Sequence, residues 1–201
     1  MITSIPWLAL GLFAVSAVGT PGPNNVMLTA SGARHGYVRT LPHIAGIIIG
    51  SATLYFAVIA GLGALFQAWP PLQWTLRLAG GAYLLYLAWR IASAPPPRLD
   101  QHEHTRPLSF WEAAAFQYAN PKVWVMGLTL GASFMPADGL LWRDATLLVL
   151  TMSVVGLPCL SFWTGFGRAL AGLLRTDRAW HWFNRVMGAL TAACLVFIFA
   201  D

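Results

Sequence analysis

Gly19-Thr20-Pro21-Gly22-Pro23-Asn24-Asn25 interrupts an apolar, uncharged stretch with residues that cannot continue a helix. Residues 5–18 before it and 26–30 after it are almost wholly apolar, so the break falls inside a candidate membrane span. Pro21 and Pro23 carry no backbone N–H and obstruct the preceding turn, while Gly19 and Gly22 loosen it. Carbonyls and amides are thereby left without intrahelical partners. In hydrocarbon each orphan costs roughly several kcal/mol, so such backbone survives only where protein buries it or a wet cavity adjoins it. Asn24 and Asn25 place amide donors and acceptors beside it. A simple proline kink or a loop at the membrane surface would leave the same local pattern, and the rest of the chain has to separate these readings.

The composition makes the membrane reading general. Of 201 residues, 57% are hydrophobic and 9% charged, with a mean hydropathy of +0.62. Residues 1–33 and 40–76 contain no Asp, Glu, Lys or Arg. A spanning helix needs about 20 mainly apolar residues, and six windows qualify: 5–29, 41–66, 72–92, 113–135, 144–167 and 183–200. An all-α membrane protein of six transmembrane helices follows, with no stretch left over for a soluble domain. The N-terminus resembles a signal peptide in hydropathy but lacks a basic leader and runs on through the break, so it is read as a retained span.

A sequence pI of 9.8 invites a nucleic-acid partner, but the positions of the charges argue against one. With the N-terminus outside, the three inner loops carry Arg34 and Arg39, then Arg90, Arg98 and Arg106, then Arg168, Arg175 and Arg178; the outer loops carry Arg143. That asymmetry is the positive-inside pattern and places both termini outside. Cys159 and Cys194 lie in the fifth and sixth windows without C-x-x-C spacing, so neither a disulfide framework nor a zinc site is indicated.

Along the chain, residues 31–36 read as a turn, and the second span starts near Pro42. Gly46 and Gly50, like Gly127 and Gly131 later, have the spacing that lets helices approach closely. His43 reads as an interfacial histidine. Trp69-Pro70-Pro71 reads as an outer hairpin, followed by a span bracketed by Trp74 and Trp89. Residues 93–112 form a polar connector with Pro95-Pro96-Pro97, His102 and His104. A His-x-His pair can hold a metal, but a solvated connector is the simpler reading of this proline-rich loop.

The fourth span repeats the opening anomaly: Tyr118-Ala119-Asn120-Pro121-Lys122-Val123-Trp124 again sets proline beside asparagine, now with a charge. The third and sixth spans share W-x-x-R-x-x-G, at Trp74, Arg77 and Gly80 and at Trp182, Arg185 and Gly188. The chain therefore divides into residues 1–92 and 113–201 around the connector. Each half holds three spans, so the second crosses the membrane inverted relative to the first. Inverted repeats bring corresponding interrupted helices together near the midplane, where transporters bind cargo. Half-helix N-termini suit a carboxylate, and freed carbonyls and asparagine oxygens suit an ammonium; a zwitterionic amino acid needs both. Lys122 has no acidic partner deep in any window. Either it snorkels to the inner interface, or it faces carbonyls, Asn120, Asn24 or a substrate carboxylate.

Residues 20–25, the Trp-x-x-Arg-x-x-Gly-Gly-Ala-Tyr stretch at 74–83, Leu87-Ala88-Trp89-Arg90 and Asn120-Pro121-Lys122 resemble the LysE/RhtB family of amino-acid exporters over essentially the whole chain. The paired asparagines and Ser109-Phe110-Trp111 are similar to its cysteine and O-acetylserine exporter branch. The resemblance implies a secondary exporter of amino acids or close derivatives in the bacterial inner membrane, driven by protons and assembled as a homodimer among lipids. Carried over by position, it assigns substrate contacts to Thr20, Pro21, Gly22, Pro23, Asn24, Asn25, Asn120, Pro121 and Lys122, with no cofactor and no catalytic residue. Tyr55, Tyr118 and Trp124 are candidate aromatic neighbours. The alternative function is export of metal cations or other small ions, for which the interior offers almost no clustered ligands. A transmembrane thiol relay would need cysteines at the breaks, where this chain has Asn and Lys.

Overall fold

The computed structural model describes residues 5–62, 68–96, 106–136 and 140–196, which form helices with no strand among them. Helix α1 (Trp7–Gly19) stops at the predicted break, where Thr20 is extended. The chain resumes as α2 (Pro23–Ala57) with Gly22 as N-cap and Pro23 at the first helical position, where a missing N–H removes no ladder bond.

Helix α2 is not one rod. Gly36 has φ 78° and ψ 171°, a backbone conformation open to glycine and almost nothing else. Asn24 and Ser51 line a single cavity, whereas a straight helix at 1.5 Å per residue would hold them about 40 Å apart. The chain therefore doubles back at Gly36. Residues 23–35 and 37–57 pack together through Leu28, Ile44 and Ile47, and the hydroxyls of Ser31 and Thr40 meet at 2.9 Å across the turn. Two sequence expectations are corrected here. The turn expected over residues 31–36 is the single residue Gly36, and the second helix starts directly after it rather than near Pro42. Pro42 is absorbed close to the helix start, where it removes one ladder bond.

Residues Val58–Leu62 widen into a π-helical turn containing Gly61 at φ 113°. Then come α3 (Pro70–Ala92), α4 (Phe110–Ala119), α5 (Pro121–Thr129) with a second π-helical turn at Leu130–Phe134, α6 (Leu141–Ala171) and α7 (Asp177–Ala193). The last helix begins six residues ahead of the apolar window, because the Thr176 hydroxyl caps it by accepting the Ala179 N–H at 3.1 Å; Arg178 lies in its first turn rather than in a loop. Helix α4 opens on a capping box in which Ser109 and Glu112 exchange backbone-to-side-chain bonds of 2.8 and 3.3 Å, and Glu112 also pairs with Arg106. Residues 97–105 of the connector, His102 and His104 among them, lie outside the described residues, as do residues 197–200 of the sixth window.

Pro23–Leu62 and Leu141–Ala171 are long and apolar enough to cross a membrane; the first of them reverses at Gly36. Arg34 donates to the Pro95 carbonyl, and Arg34, Arg90 and Arg106 surround one cavity. Arg168 follows a glycine seated on Thr29, so it lies at this same end. Arg143 pairs with Asp144 at 2.8 Å at the far end of α6.

Glycines set the tightest helix contacts. A Cβ on Gly32 would lie 2.1 Å from the Thr164 carbonyl oxygen, and one on Gly167 would lie 2.0 Å from that of Thr29. The segment 23–35 and α6 thus touch backbone to backbone through reciprocal Thr-x-x-Gly pairs. Gly46 and Gly50 meet the Phe110 and Ala114 carbonyls in the same way, and Gly127 meets Tyr55 and Val58. The glycines singled out for close approach are therefore used within the chain. Gly80 packs on Ala119 and Gly188 on Ala88 and Ala92, so the shared W-x-x-R-x-x-G pattern serves different neighbours in α3 and α7.

Gly32→Ala and Gly167→Ala each lower stability by about 1–3 kcal/mol through overpacking. Gly11→Ala, with nothing within 4 Å of the added carbon, leaves the thermal unfolding of the purified protein unchanged. Equal melting of all three variants would contradict the backbone contact.

Candidate functional site

The orphan carbonyls at the end of α1 all find partners. The Ser16 oxygen accepts the Thr20 N–H at 3.1 Å, Ala17 the Thr20 hydroxyl at 3.3 Å, Val18 the Asn25 amide at 2.8 Å, and Gly19 the Trp163 indole N–H at 3.0 Å. Beyond the helix, the Thr20 carbonyl accepts from Asn25 at 2.7 Å and from Lys122 Nζ at 2.8 Å. Asn25 is consumed in this way: its buried amide ties the start of one half-helix to the end of the other.

The second break is built similarly. Asn120 is the N-cap of α5 and its side-chain oxygen accepts the Lys122 N–H at 3.2 Å. Pro121 takes the first helical position, matching Pro23. Trp124 donates its indole N–H to the Tyr118 carbonyl at 2.8 Å, returning a released acceptor of α4 to the network.

The two breaks are then cross-linked. Lys122 is the second residue of its half-helix and reaches to the end of α1, donating to the Thr20 carbonyl and, at 3.0 Å, to the Thr20 hydroxyl. Asn24 is the second residue of the other half-helix and reaches to the last turns of α4, where its amide and that of Gln117 exchange bonds of 2.8 and 3.2 Å. Gln117 is fully buried and also donates to the Ala113 carbonyl at 2.8 Å. Of the two placements open to Lys122, the structure has the one facing carbonyls.

Between these bridges lies a cavity of about 50 Å³, room for a few waters. Gly22, Pro23, Asn24, Asn25, Asn120 and Lys122 line it, together with Ser51 from 37–57 and Ser153 from α6. Thr20 and Pro21 stand outside the lining and supply acceptors to Lys122, and Pro121 is used to start α5. Tyr55 reaches the cavity wall; Tyr118 and Trp124 do not. Two half-helix N-termini, each equivalent to roughly half a positive charge, meet there beside the Lys122 ammonium, and among the described residues no Asp or Glu is in the lining. Gly22 approaches Lys122 so closely that a Cβ there would sit 3.1 Å from its Cδ, which makes the glycine a space requirement of the lysine.

Gln117, Trp163, Ser51 and Ser153 are missed by the sequence reading. A glutamine one turn before a Pro break was the available signal for Gln117; the others carry no local mark. Cys159 is half-buried against Gly19, 3.9 Å from where its Cβ would stand, and Cys194 is buried beside Met27 and Phe116. Cys159 thus adjoins the first break, which its position in the fifth window did not suggest. His43, read as an interfacial histidine, is 1% exposed and packed inside the bundle. Among the described residues no three His, Cys, Asp or Glu side chains converge.

Asn24→Leu and Gln117→Leu each destabilise the protein by about 1–3 kcal/mol, because each strands the other's amide. The double variant loses less than the sum by about 1 kcal/mol or more. Strictly additive losses in a double-mutant cycle would deny the bridge.

Residues 15–199 match the LysE type translocator family. Over 184 residues the chain is 30% identical to the cysteine/O-acetylserine efflux protein of Escherichia coli O157:H7, covering 90% of each. It is 28% identical over 181 residues to the protein of the same name in Salmonella typhimurium, covering 89% of this chain and 87% of that one. No solved structure matches. With a family match running from the first break to the last helix, and efflux proteins aligned over nine-tenths of its length, the chain belongs to the LysE type translocator family of transporters.

Proposed function

We propose that this chain is a secondary exporter of amino acids or close derivatives, binding the zwitterion between the two helix breaks and coupled to protons. The observation that carries the reading is the charge character of the cavity: two converging helix N-termini and Lys122, with no acid in the lining among the described residues. Such a field selects a carboxylate. The Ser51 and Ser153 hydroxyls and the Asn24 amide oxygen supply the acceptors that an ammonium requires. The names of the relatives, cysteine/O-acetylserine efflux proteins, fit small amino acids bearing a short polar side chain. Thr20, Pro21 and Pro121 act by shaping the breaks; Gly22, Pro23, Asn24, Asn25, Asn120 and Lys122 form the binding surface.

In this reading the chain crosses the bacterial inner membrane six times as two inverted repeats, 1–92 and 113–201, with both termini periplasmic and two copies per assembly. The repeat is supported by the matched placement of the breaks, each opening with proline at the first helical position and a bridging residue at the second. Contacts of α1 with α6 and of α4 with 37–57 are likewise counterparts. Arginine-rich loops on the inner side, with Arg143 on the outer side, agree with the positive-inside pattern. Alternating access then consists of exchanging the Lys122–Thr20 and Asn24–Gln117 bridges for contacts to cargo. Cation export is disfavoured by the same field that selects a carboxylate.

The test is efflux of a panel of amino acids and O-acetylserine from dipeptide-loaded cells, comparing wild type with Asn24→Ala and Lys122→Met at matched membrane abundance. Export of one substrate class falls about tenfold or more in both variants, the worth of a charge-assisted hydrogen bond. Wild-type cells that export none of the panel overturn the amino-acid reading; unchanged export in Lys122→Met removes the lysine from the site.

A further inference from the structure

His43 is fully buried within the bundle, and neither of its ring nitrogens has a hydrogen-bond partner among the described residues. A buried imidazole in that condition weakens the fold, because the neutral ring always presents one N–H donor and one bare nitrogen acceptor. An ionisable side chain kept in an apolar span at a cost to the fold points to a use for its ionisation.

The surroundings of His43 give that ionisation a route. The ring lines a second cavity, of about 100 Å³, at the arginine-rich end of the bundle, with room for several waters. Arg34 and His35 from 23–35, Arg90 from α3, Arg106 ahead of α4 and Asn184 from α7 stand in the same walls. The arginines are engaged: Arg34 donates to the Pro95 carbonyl, Arg106 pairs with Glu112, and Arg90 lies over the Tyr86 ring at 5.8 Å. Glu112 of α4 is occupied by Arg106 and Ser109. His35 is half-buried beside the reversal at Gly36, with its Nδ1 unpartnered as well. Arg39, one turn before His43 on its own helix, is exposed, and α6 adds no residue to the lining.

In the other direction His43 adjoins the cavity between the breaks. His43, Ile47, Ser51 and Tyr55 recur every four residues and so form one stripe along the helix. The first faces the second cavity, and the other three line the first. Segment 23–35 repeats the arrangement, with Asn24 on the break cavity and Met27 on the second. One turn of helix, about 6 Å of rise, therefore separates a titratable ring from the wall of the candidate binding site.

We propose that His43 is the proton-binding residue of the export cycle. The assignment rests on the proton-coupled reading above and supplies the group which that reading leaves unnamed. Lys122 is engaged with Thr20 at the breaks, and Glu112 and Asp144 are each paired with an arginine. A water in the second cavity passes a proton to the bare ring nitrogen, giving an imidazolium with N–H donors at both positions; the reverse transfer returns the proton to water. The neutral ring is packed dry between 23–35 and 37–57, whereas the cation requires water or another acceptor at both nitrogens. Taking up the proton thus draws water between these two segments, and losing it lets them close. Ile47, Ser51 and Tyr55 move with His43 on one helix, which carries the change to the break cavity.

The test reconstitutes the full chain in liposomes loaded with radiolabelled serine, cysteine or O-acetylserine. Wild type releases cargo faster into an acidic medium than into one at the internal pH, and it exchanges labelled for unlabelled cargo with no gradient. His43→Leu loses the acceleration and retains the exchange, a split that damage to the binding site would not produce. His35→Gln, altered in the same cavity, stays gradient-driven; equal loss in both variants overturns the assignment to His43. Melting of the purified protein adds a readout free of transport. His43→Leu removes two unpartnered nitrogens and melts at or above wild type, and a variant that melts well below it reveals a structural role for the ring and overturns the proposal. Wild type that moves none of the three cargoes, or ignores the gradient, overturns the export reading and this assignment with it. A gradient-driven wild type with an equally driven His43→Leu overturns this assignment alone.

Discussion

The structure depends on one constraint: a helix that ends inside an apolar interior must hand its last carbonyls to other donors. At the end of α1 those donors come from four places, the Thr20 backbone and hydroxyl, the Asn25 amide, the Trp163 indole and the Lys122 ammonium. Only the first is local. The others bring the next half-helix, α6 and α5 to the same point, so satisfying the backbone assembles the site. A proline kink with its groups solvated would need none of these partners. The several kcal/mol that each orphan would cost in a dry interior explain why the break is surrounded by so specific a set of side chains.

The same constraint explains how Lys122 is tolerated without an acid. A lysine at the centre of a bilayer costs about 2.5–3.5 kcal/mol, and a hydrogen bond to a charged group returns about 1.5–3 kcal/mol. Two close contacts to Thr20, at 2.8 and 3.0 Å, are enough to offset the penalty. A carboxylate would be a better acceptor than either. Even so, the Thr20 carbonyl and hydroxyl hold the ammonium in place without an acidic partner.

Much of this was legible in the sequence, and the omissions have physical causes. Pro21, Pro23 and Pro121 mark both breaks because proline removes a ladder bond wherever it falls past the first turn. The reversal was legible as a turn over residues 31–36 but not as a single residue: Arg34, His35 and Tyr37 are ordinary helix residues, and the reversal depends on the backbone angles of Gly36 alone. The start of α7 was hidden because Asp177, Arg178 and His181 interrupt the apolar residues of its first turns, so that an apolar window begins only at residue 183. Gln117 and Asn24 lie 93 residues apart, and neither carries any sign of the other. His43 was placed at an interface by its distance from the start of a window; the true helix starts at residue 37 and folds back on 23–35, which buries it.

Where the backbones touch and where they do not divides the bundle further. Gly32 and Gly167 clamp 23–35 to α6, and α1 rests on α6 through Val18 beside Gly156. Gly46 and Gly50 clamp α4 to 37–57, and Gly127 seats α5 on the same helix. Each broken helix is thus fastened to a helix from the other half of the sequence. Between the two fastened groups the contacts are made by side chains: Lys122 on Thr20, Asn24 on Gln117, Tyr37 on Ser161 at 2.8 Å, and apolar packing of Leu10, Leu54, Tyr55 and Met152. A net hydrogen bond is worth about 0.5–1.5 kcal/mol, and side chains exchange rotamers and partners without repacking a backbone. Backbone contacts at van der Waals limits cannot slide in that way, because any displacement brings a carbonyl into the facing helix. Of the side chains that bridge the two fastened groups, Asn24, Lys122, Tyr55 and Met152 also line the cavity between the breaks.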